Sequence, residues 1–279
     1  MKRTGVLVVL LLASLLAPPR AFAQTVGAAP APELTVEQMK DFLENAKVIR
    51  NKTTNKGVTA PKRVTLSDGT LTHDAVFQAV DERKMVANLS GGGRQSQTEL
   101  NFVDSYRYNI AAYEIAALLG LDYMMPVHVE RRWGGQTGSM SWFVETLMDE
   151  SERLKKKVQP PNANEWNNQM YRMRVFTALT RDTDRNLTNV LITPRWKVMM
   201  IDFTRAFRLQ PELMHSRDLA KMDRELFPRL KTLMKDSVKK AVRDWLTNSE
   251  IDAMMQRRDL LVAHFTRLIA ELGEEKVLY

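Results

Sequence analysis

Apolar positions recur at helical spacing in some stretches of the chain and alternate in others. Thr35 and Gln38 have the spacing of a capping box, and Met39, Phe42, Leu43 and Ala46 fall on one face of the helix that follows. From about 57 to 82 the texture changes to strands: KRVTL, a turn at Ser67-Asp68-Gly69, then HDAVFQAV, the pattern of a β-hairpin. Residues 89 to 98 (LSGGGRQSQT) read as a flexible loop, since this glycine run lacks the strand, spacing and helix of a phosphate-binding loop. A helix is expected from about Asp104 to Leu119, capped by Asp104, stopped by Gly120 and apolar nearly all round, hence buried. Between Tyr108 and Leu121 its one formal charge is the buried acid Glu114, which needs a partner or a place at an edge. VHVERR, Gly134-Gly135 and GSMSWFVETLM then give a second strand pair, and Lys155, Lys156 and Lys157 mark a solvated surface.

Beyond Pro160-Pro161 the pattern is mainly helical. Trp166, Met170, Met173 and Phe176 or Thr177 make one stripe; Leu226, Leu230 and Leu233 make a second; Val238, Val242 and Trp245 make a third. Thr247 and Glu250 open a last helix with Ile251, Met254, Met255, Val262, Phe265, Ile269 and Leu272 on its apolar face, which is core. One interruption breaks this half: TRDTDRNLTN, then VLIT, a turn at Pro194-Arg195-Trp196, and KVMMID.

The first residues read as an address. Lys2 and Arg3 precede an apolar run from Gly5 to Ala17, Pro18 and Pro19 break it, and Ala21-Phe22-Ala23 offers a small-residue cleavage site before Gln24. The run is shorter than the roughly 20 residues a spanning helix needs, so 1–23 is expected to be a signal peptide and the mature protein periplasmic or extracellular, with no transmembrane helix. The Ala/Pro-rich stretch 24–34 reads as a tether. With 44% hydrophobic and 27% charged residues the remainder can bury a sizeable core. The absence of cysteine excludes disulfides, thiol nucleophiles and thiolate metal sites, and four histidines without HExxH spacing argue against a zinc hydrolase. Loss of Lys2, Arg3 and Arg20 lowers the formal charge from +8 to +5, a surplus that favours anionic partners. Nucleic acid is not expected among them.

The interruption carries the chemistry: Asp184, Asn189 five residues on, and Asp202 eighteen residues after Asp184. Phosphoryl transfer needs a carboxylate to position the attacking hydroxyl, and an amide oxygen with a second carboxylate to hold divalent metal on nucleotide phosphates. Two plainer readings compete. Asp182 to Asn186 begins like an EF-hand loop, but Leu187 and Thr193 stand where glycine and glutamate belong. The acids could instead form a structural network with Arg181, Arg185 and Arg205.

DRNLTNVLI followed by MMIDFTRAF resembles the DxxxxN catalytic loop and DFG-type aspartate of the protein-kinase-like superfamily. It is most similar to the atypical branches: phosphatidylinositol 3- and 4-kinases, the Golgi secretory-pathway kinases, and bacterial exported proteins of that type. The resemblance implies an α+β, two-lobed fold with a strand-rich N-lobe (35–147) holding one long helix and a mainly helical C-lobe (148–279). It implies Asp184 as the catalytic aspartate, Asn189 and Asp202 as ligands of Mg or Mn, and ATP or another nucleotide as donor to a hydroxyl-bearing acceptor. Gln78, in AVFQ, stands where the superfamily's phosphate-binding lysine belongs; NIAAYEIAALLGL puts Asn109 at its glutamate partner's position, with Glu114 the other acid of that helix. Gln78 with Asn109 would replace an ion pair coherently, and Lys62, Arg63 or Lys84 could supply the missing charge. Thr204 stands at the third position of the DFG-type motif, and no APE-type activation segment follows. The implied activity is an exported phosphotransferase; alternatives are a catalytically weak or inactive pseudokinase-like binding module, favoured by Gln78 and the export signal, and a nucleotidyl transferase.

Overall fold

The computed structural model describes residues 34–53, 61–89 and 97–279. The expected signal peptide, the tether as far as residue 33 and the glycine run at 90–96 lie outside the described residues. Helix α1 (Val36–Asn45) opens with both halves of the Thr35/Gln38 capping box in place and buries Phe42 and Leu43. Strands β1 (Lys47–Thr53), β2 (Lys62–Ser67) and β3 (Thr72–Gln78) follow, then β4 (Asp81–Leu89), β5 (Gln97–Ser105) and helix α2 (Arg107–Leu119). The strand pair β6 (His128–Trp133) and β7 (Gln136–Trp142) closes the strand-rich lobe.

An antiparallel sheet runs in the order β1-β2-β3-β7-β6, and both α1 and α2 pack against β6 and β7. Its interior gathers Val64, Leu66, Ala75, Phe77 and Met140 with Leu43, Tyr113 and Ile115 of the helices. Gly138 on β7 faces Gln78 so closely that a Cβ there would stand 2.4 Å from the Gln78 carbonyl oxygen and 3.0 Å from the Ala79 Cα. Only a residue without a side chain lets β3 approach β7 there.

Three sequence expectations change. Residues 81–89 and 97–105 form a two-stranded hairpin of their own, so the chain around the expected loop is largely strand. Asp104 lies on β5 and caps nothing: α2 begins after Tyr106, with no side-chain cap. Glu114 is not a buried acid but a quarter exposed at the edge of α2, with Lys40 of α1 2.7 Å away. The expected helix stop does hold. Gly120 adopts φ +66 to end α2, and Arg229 Nη1 would lie 1.4 Å from any Cβ placed there.

The segment 143–147 leads from β7 into β8 (Met148–Asp149), α3 (Glu150–Lys156) and α4 (Ala163–Thr180). β8 pairs with β9 (Val190–Ile192), and β9 with β10 (Val198–Met200). Helices α5 (Leu226–Thr232), α6 (Lys235–Val242), α7 (Asn248–Leu272) and α8 (Glu274–Val277) complete the helical lobe, with α7 in contact with the other three and with α4. The lysine run belongs to the end of α3, held by a buried Glu150–Arg153 pair. Leu34–Tyr279 forms one compact unit. No described helix is long and apolar enough to cross a membrane.

Candidate active site

Helix α4 ends at Arg181 in a left-handed conformation, and the chain turns into the loop that carries Asp184 and Asn189. Asp182 is the anchor of that turn. Its fully buried carboxylate accepts the Asp184 N–H at 3.0 Å and pairs with Arg185 at 2.5 Å. Burial pushes the Asp182 carboxyl above its ordinary range, and the Arg185 charge opposes that rise. Arg185 in turn lies over the Phe203 ring and donates through Nη1 to the carbonyls of Asn189 and Ile201 at 2.9 and 2.5 Å. One guanidinium thereby ties the loop to the strand end that carries Asp202.

Hydrogen bonds join the segments that carry the three candidate residues. Asn189 Nδ2 donates to the Asp184 carbonyl at 3.1 Å, and the Ile201 N–H donates to the Asn189 carbonyl at 3.1 Å, one residue before Asp202. Asp202 itself takes φ +57, a left-handed backbone that is uncommon for a non-glycine residue and costs local strain. Thr204 Oγ1 donates to Asp202 Oδ1 at 3.0 Å, and the Phe203 ring is buried. Asp184 remains partly exposed, with Arg205 Nη1 3.9 Å from its Oδ2.

A second relay joins this edge to the sheet. Asn109 Nδ2 donates to Gln78 Oε1 at 2.8 Å, and Asn109 Oδ1 accepts the Phe203 N–H at 2.7 Å. Gln78 and Asn109 are thus brought together and joined to the residue following Asp202, and both are buried. Glu114 is committed to Lys40 on another side of α2. Arg63 is paired with Asp74 at 2.5 Å and stacked on Phe143, Lys62 lies over Trp133, and Lys84 pairs with Glu82. None of these contacts links the three cations to Asp184, Asn189 or Asp202.

Two features escape a reading of the sequence. Asp104, on β5, shares the Thr204 hydroxyl's neighbourhood with Asp202; burial raises its carboxyl above the usual range, and the Asp202 charge adds to that. Glu99, also on β5, pairs with both Arg205 and Arg208. The RAFR run after IDFT was the visible half of that cluster, but its partner lies about a hundred residues earlier, on a hairpin the pattern does not declare.

The donors fit a hard divalent cation: a carboxylate at Asp202 and an amide oxygen at Asn189, whose nitrogen is committed to a carbonyl. Among the described residues no three His, Cys, Asp or Glu side chains gather into a self-sufficient metal site.

Strand-rich lobe, linking segment, helical lobe, and a loop-and-strand junction carrying Asp, Asn and Asp define an atypical protein-kinase-like fold. The solved structures similar to it include a hydra Fam20 protein with sugar, at TM-score 0.62 and 14% identity, covering 88% of this chain and 92% of that one. They also include CtkA, a proinflammatory kinase of Helicobacter pylori, at TM-score 0.50 and 11% identity, covering 82% of this chain and 98% of that one. No family sequence model matches the chain, and no curated protein matches it in sequence.

Proposed function

We propose that the protein is an exported, metal-dependent phosphotransferase that passes a phosphoryl group from ATP or another nucleotide to a hydroxyl on a protein, lipid or sugar. The observation that supports this best is the hydrogen-bonded junction of Asp184, Asn189 and Ile201, which joins the loop of the partly exposed Asp184 to the segment of Asp202. Asp184 orients the acceptor hydroxyl and takes its proton as the oxygen bonds to the γ-phosphorus and the bond to the β-phosphate oxygen breaks. Asn189 and Asp202 would hold Mg²⁺ or Mn²⁺, which supplies charge neutralisation on the phosphates when bound. The N-lobe would span 35–147 and the C-lobe 148–279, and export would follow from cleavage near Ala23. The sugar in the hydra Fam20 structure places sugars among the acceptors to be tried.

Gln78 favours a second reading, a pseudokinase-like module that binds nucleotide without turning it over, because a neutral amide brings no charge to the phosphates. Release or transfer of labelled γ-phosphate separates the two. Wild-type turnover, reduced about 10²–10⁴-fold in Asp184→Ala with nucleotide binding retained, is the expected outcome. Turnover that survives this substitution unchanged contradicts the role of Asp184, and binding without any turnover in the wild type selects the module.

A further inference from the structure

A cavity of about 1020 Å³ lies between the β4–β5 hairpin and the segment following Asp202. Five cationic side chains line it, Arg83, Lys84, Arg181, Arg205 and Arg208, against two carboxylates, Glu99 and Glu250. Glu250 is already engaged: it accepts from Tyr108 Oη and from Thr247. That leaves Glu99 alone facing the arginines, bridging Arg205 at 2.5 Å and Arg208 at 2.7 Å. The match is incomplete. Arg208 is 6% exposed, yet neither its Nε nor its Nη1 has a hydrogen-bond partner; Arg205 Nε and Arg181 Nε are also buried without one.

Guanidinium groups held out of water without acceptors are unfavourable unless an anion completes them. The backbone behind them is fixed. Fully buried Arg257 donates to the carbonyls of Leu179, Arg208 and Gln210, each at 2.8 Å, and Phe102 offers its ring to both Arg205 and Arg208. Arg205 also joins the cavity to the chemistry, since its Nη1 lies 3.9 Å from Asp184 Oδ2 and Thr183, next in the chain, lines the same wall.

We propose, resting on the phosphotransferase reading, that this cavity seats an acceptor bearing an oxyanion beside its reacting hydroxyl. Arg205 and Arg208 grip the oxyanion while the hydroxyl meets Asp184, and Glu99 holds that position until the acceptor displaces it. Phosphate, sulfate and carboxylate share the oxygen geometry that a guanidinium fork accepts. A cavity of this size suits a small molecule or one terminal unit of a larger one.

The test is a calorimetric titration of the purified protein, without nucleotide or metal, using inorganic phosphate, sulfate and acetate as separate probes. Binding of at least one probe is expected, weakened about tenfold or more in Arg205→Gln and Arg208→Gln and strengthened by a similar factor in Glu99→Gln, which removes the internal competitor. The opposite signs guard against loss of fold, and Arg205→Gln alone suffices if Arg208→Gln does not fold. Which probe binds distinguishes tetrahedral oxyanions from carboxylates as the acceptor's group. No binding of any probe to wild type or Glu99→Gln, or affinity unchanged in Arg205→Gln and Glu99→Gln, overturns the proposal. Asp202→Ala run beside them keeps the readings apart: it is expected to retain the anion titration, whereas failure of the phosphotransferase reading shows only in nucleotide experiments.

Discussion

Asn109 is the residue through which the sheet addresses the candidate site. Its amide accepts the Phe203 N–H, donates to Gln78, and does both while buried. Asn109→Ala deprives the Phe203 N–H of its acceptor inside the protein, at a cost of about 1–3 kcal/mol in urea unfolding. A double-mutant cycle with Gln78→Ala is expected to give a coupling energy between about 0.5 and 3 kcal/mol, because the two amides bond each other. Single effects that add within about 0.3 kcal/mol contradict the relay. Much at this scale was legible. Spacing made Asp184, Asn189 and Asp202 candidates, and the pairing of Gln78 with Asn109, expected from the resemblance, is present in the structure. What spacing could not give is how charges are shared out: Glu114 turned to Lys40, Arg63 to Asp74, and Glu99 to Arg205 and Arg208.

Elements with one buried face were the readable ones. The stripes of α1, α4 and α7 face the core, except that Leu272 at the end of α7 is half exposed, and β2 alternates in burial while four successive residues of β7 are buried. The β4–β5 hairpin escaped because little of it is buried: Met85 and Leu100 stand 85% and 65% exposed, so no alternation marks an inner face. Edge strand β1 escaped for a related reason, with Lys47, Ile49, Arg50 and Asn51 all exposed and a bulge between Val48 and Arg50.

The junction of β6 with α2 has a consequence in acid. His128, on β6, is buried beside the Tyr113 ring, and desolvation lowers its imidazole from 6.5 to about 3. The unfolded chain therefore takes up this proton at a higher pH than the native one. The contribution of a neutral His128 is complete above about pH 6.5 and is lost as pH falls toward 3, at about 1.4 kcal/mol per pH unit. Buried Asp104 and Asp182, raised rather than lowered, act in the opposite direction, so the difference between wild type and His128→Gln isolates the histidine. Between pH 7 and 5 wild type is expected to lose about 2 kcal/mol more than the variant. Equal losses in the two proteins would show that His128 is not held neutral.

Across the whole molecule, α2 packs on α5 and α6, and further contacts between the strand-rich and helical lobes gather at the segment carrying Asp202. The Ser105 N–H donates to the Thr204 carbonyl, Tyr108 packs edge-on to Phe207 and reaches Glu250 at the start of α7, and Asn109 holds Phe203. Glu250 also completes the capping box of α7 with Thr247, so a single carboxylate serves both helices. This convergence fixes the candidate metal-binding aspartate against both lobes. The decisive measurement is calorimetric binding of ATP to the purified protein with Mg²⁺, with Mn²⁺ and with chelator, in wild type and Asp202→Ala. Binding that requires the metal and disappears in Asp202→Ala is expected; binding that is indifferent to chelator, or that persists in the variant, would show that Asp202 does not hold a metal on the nucleotide.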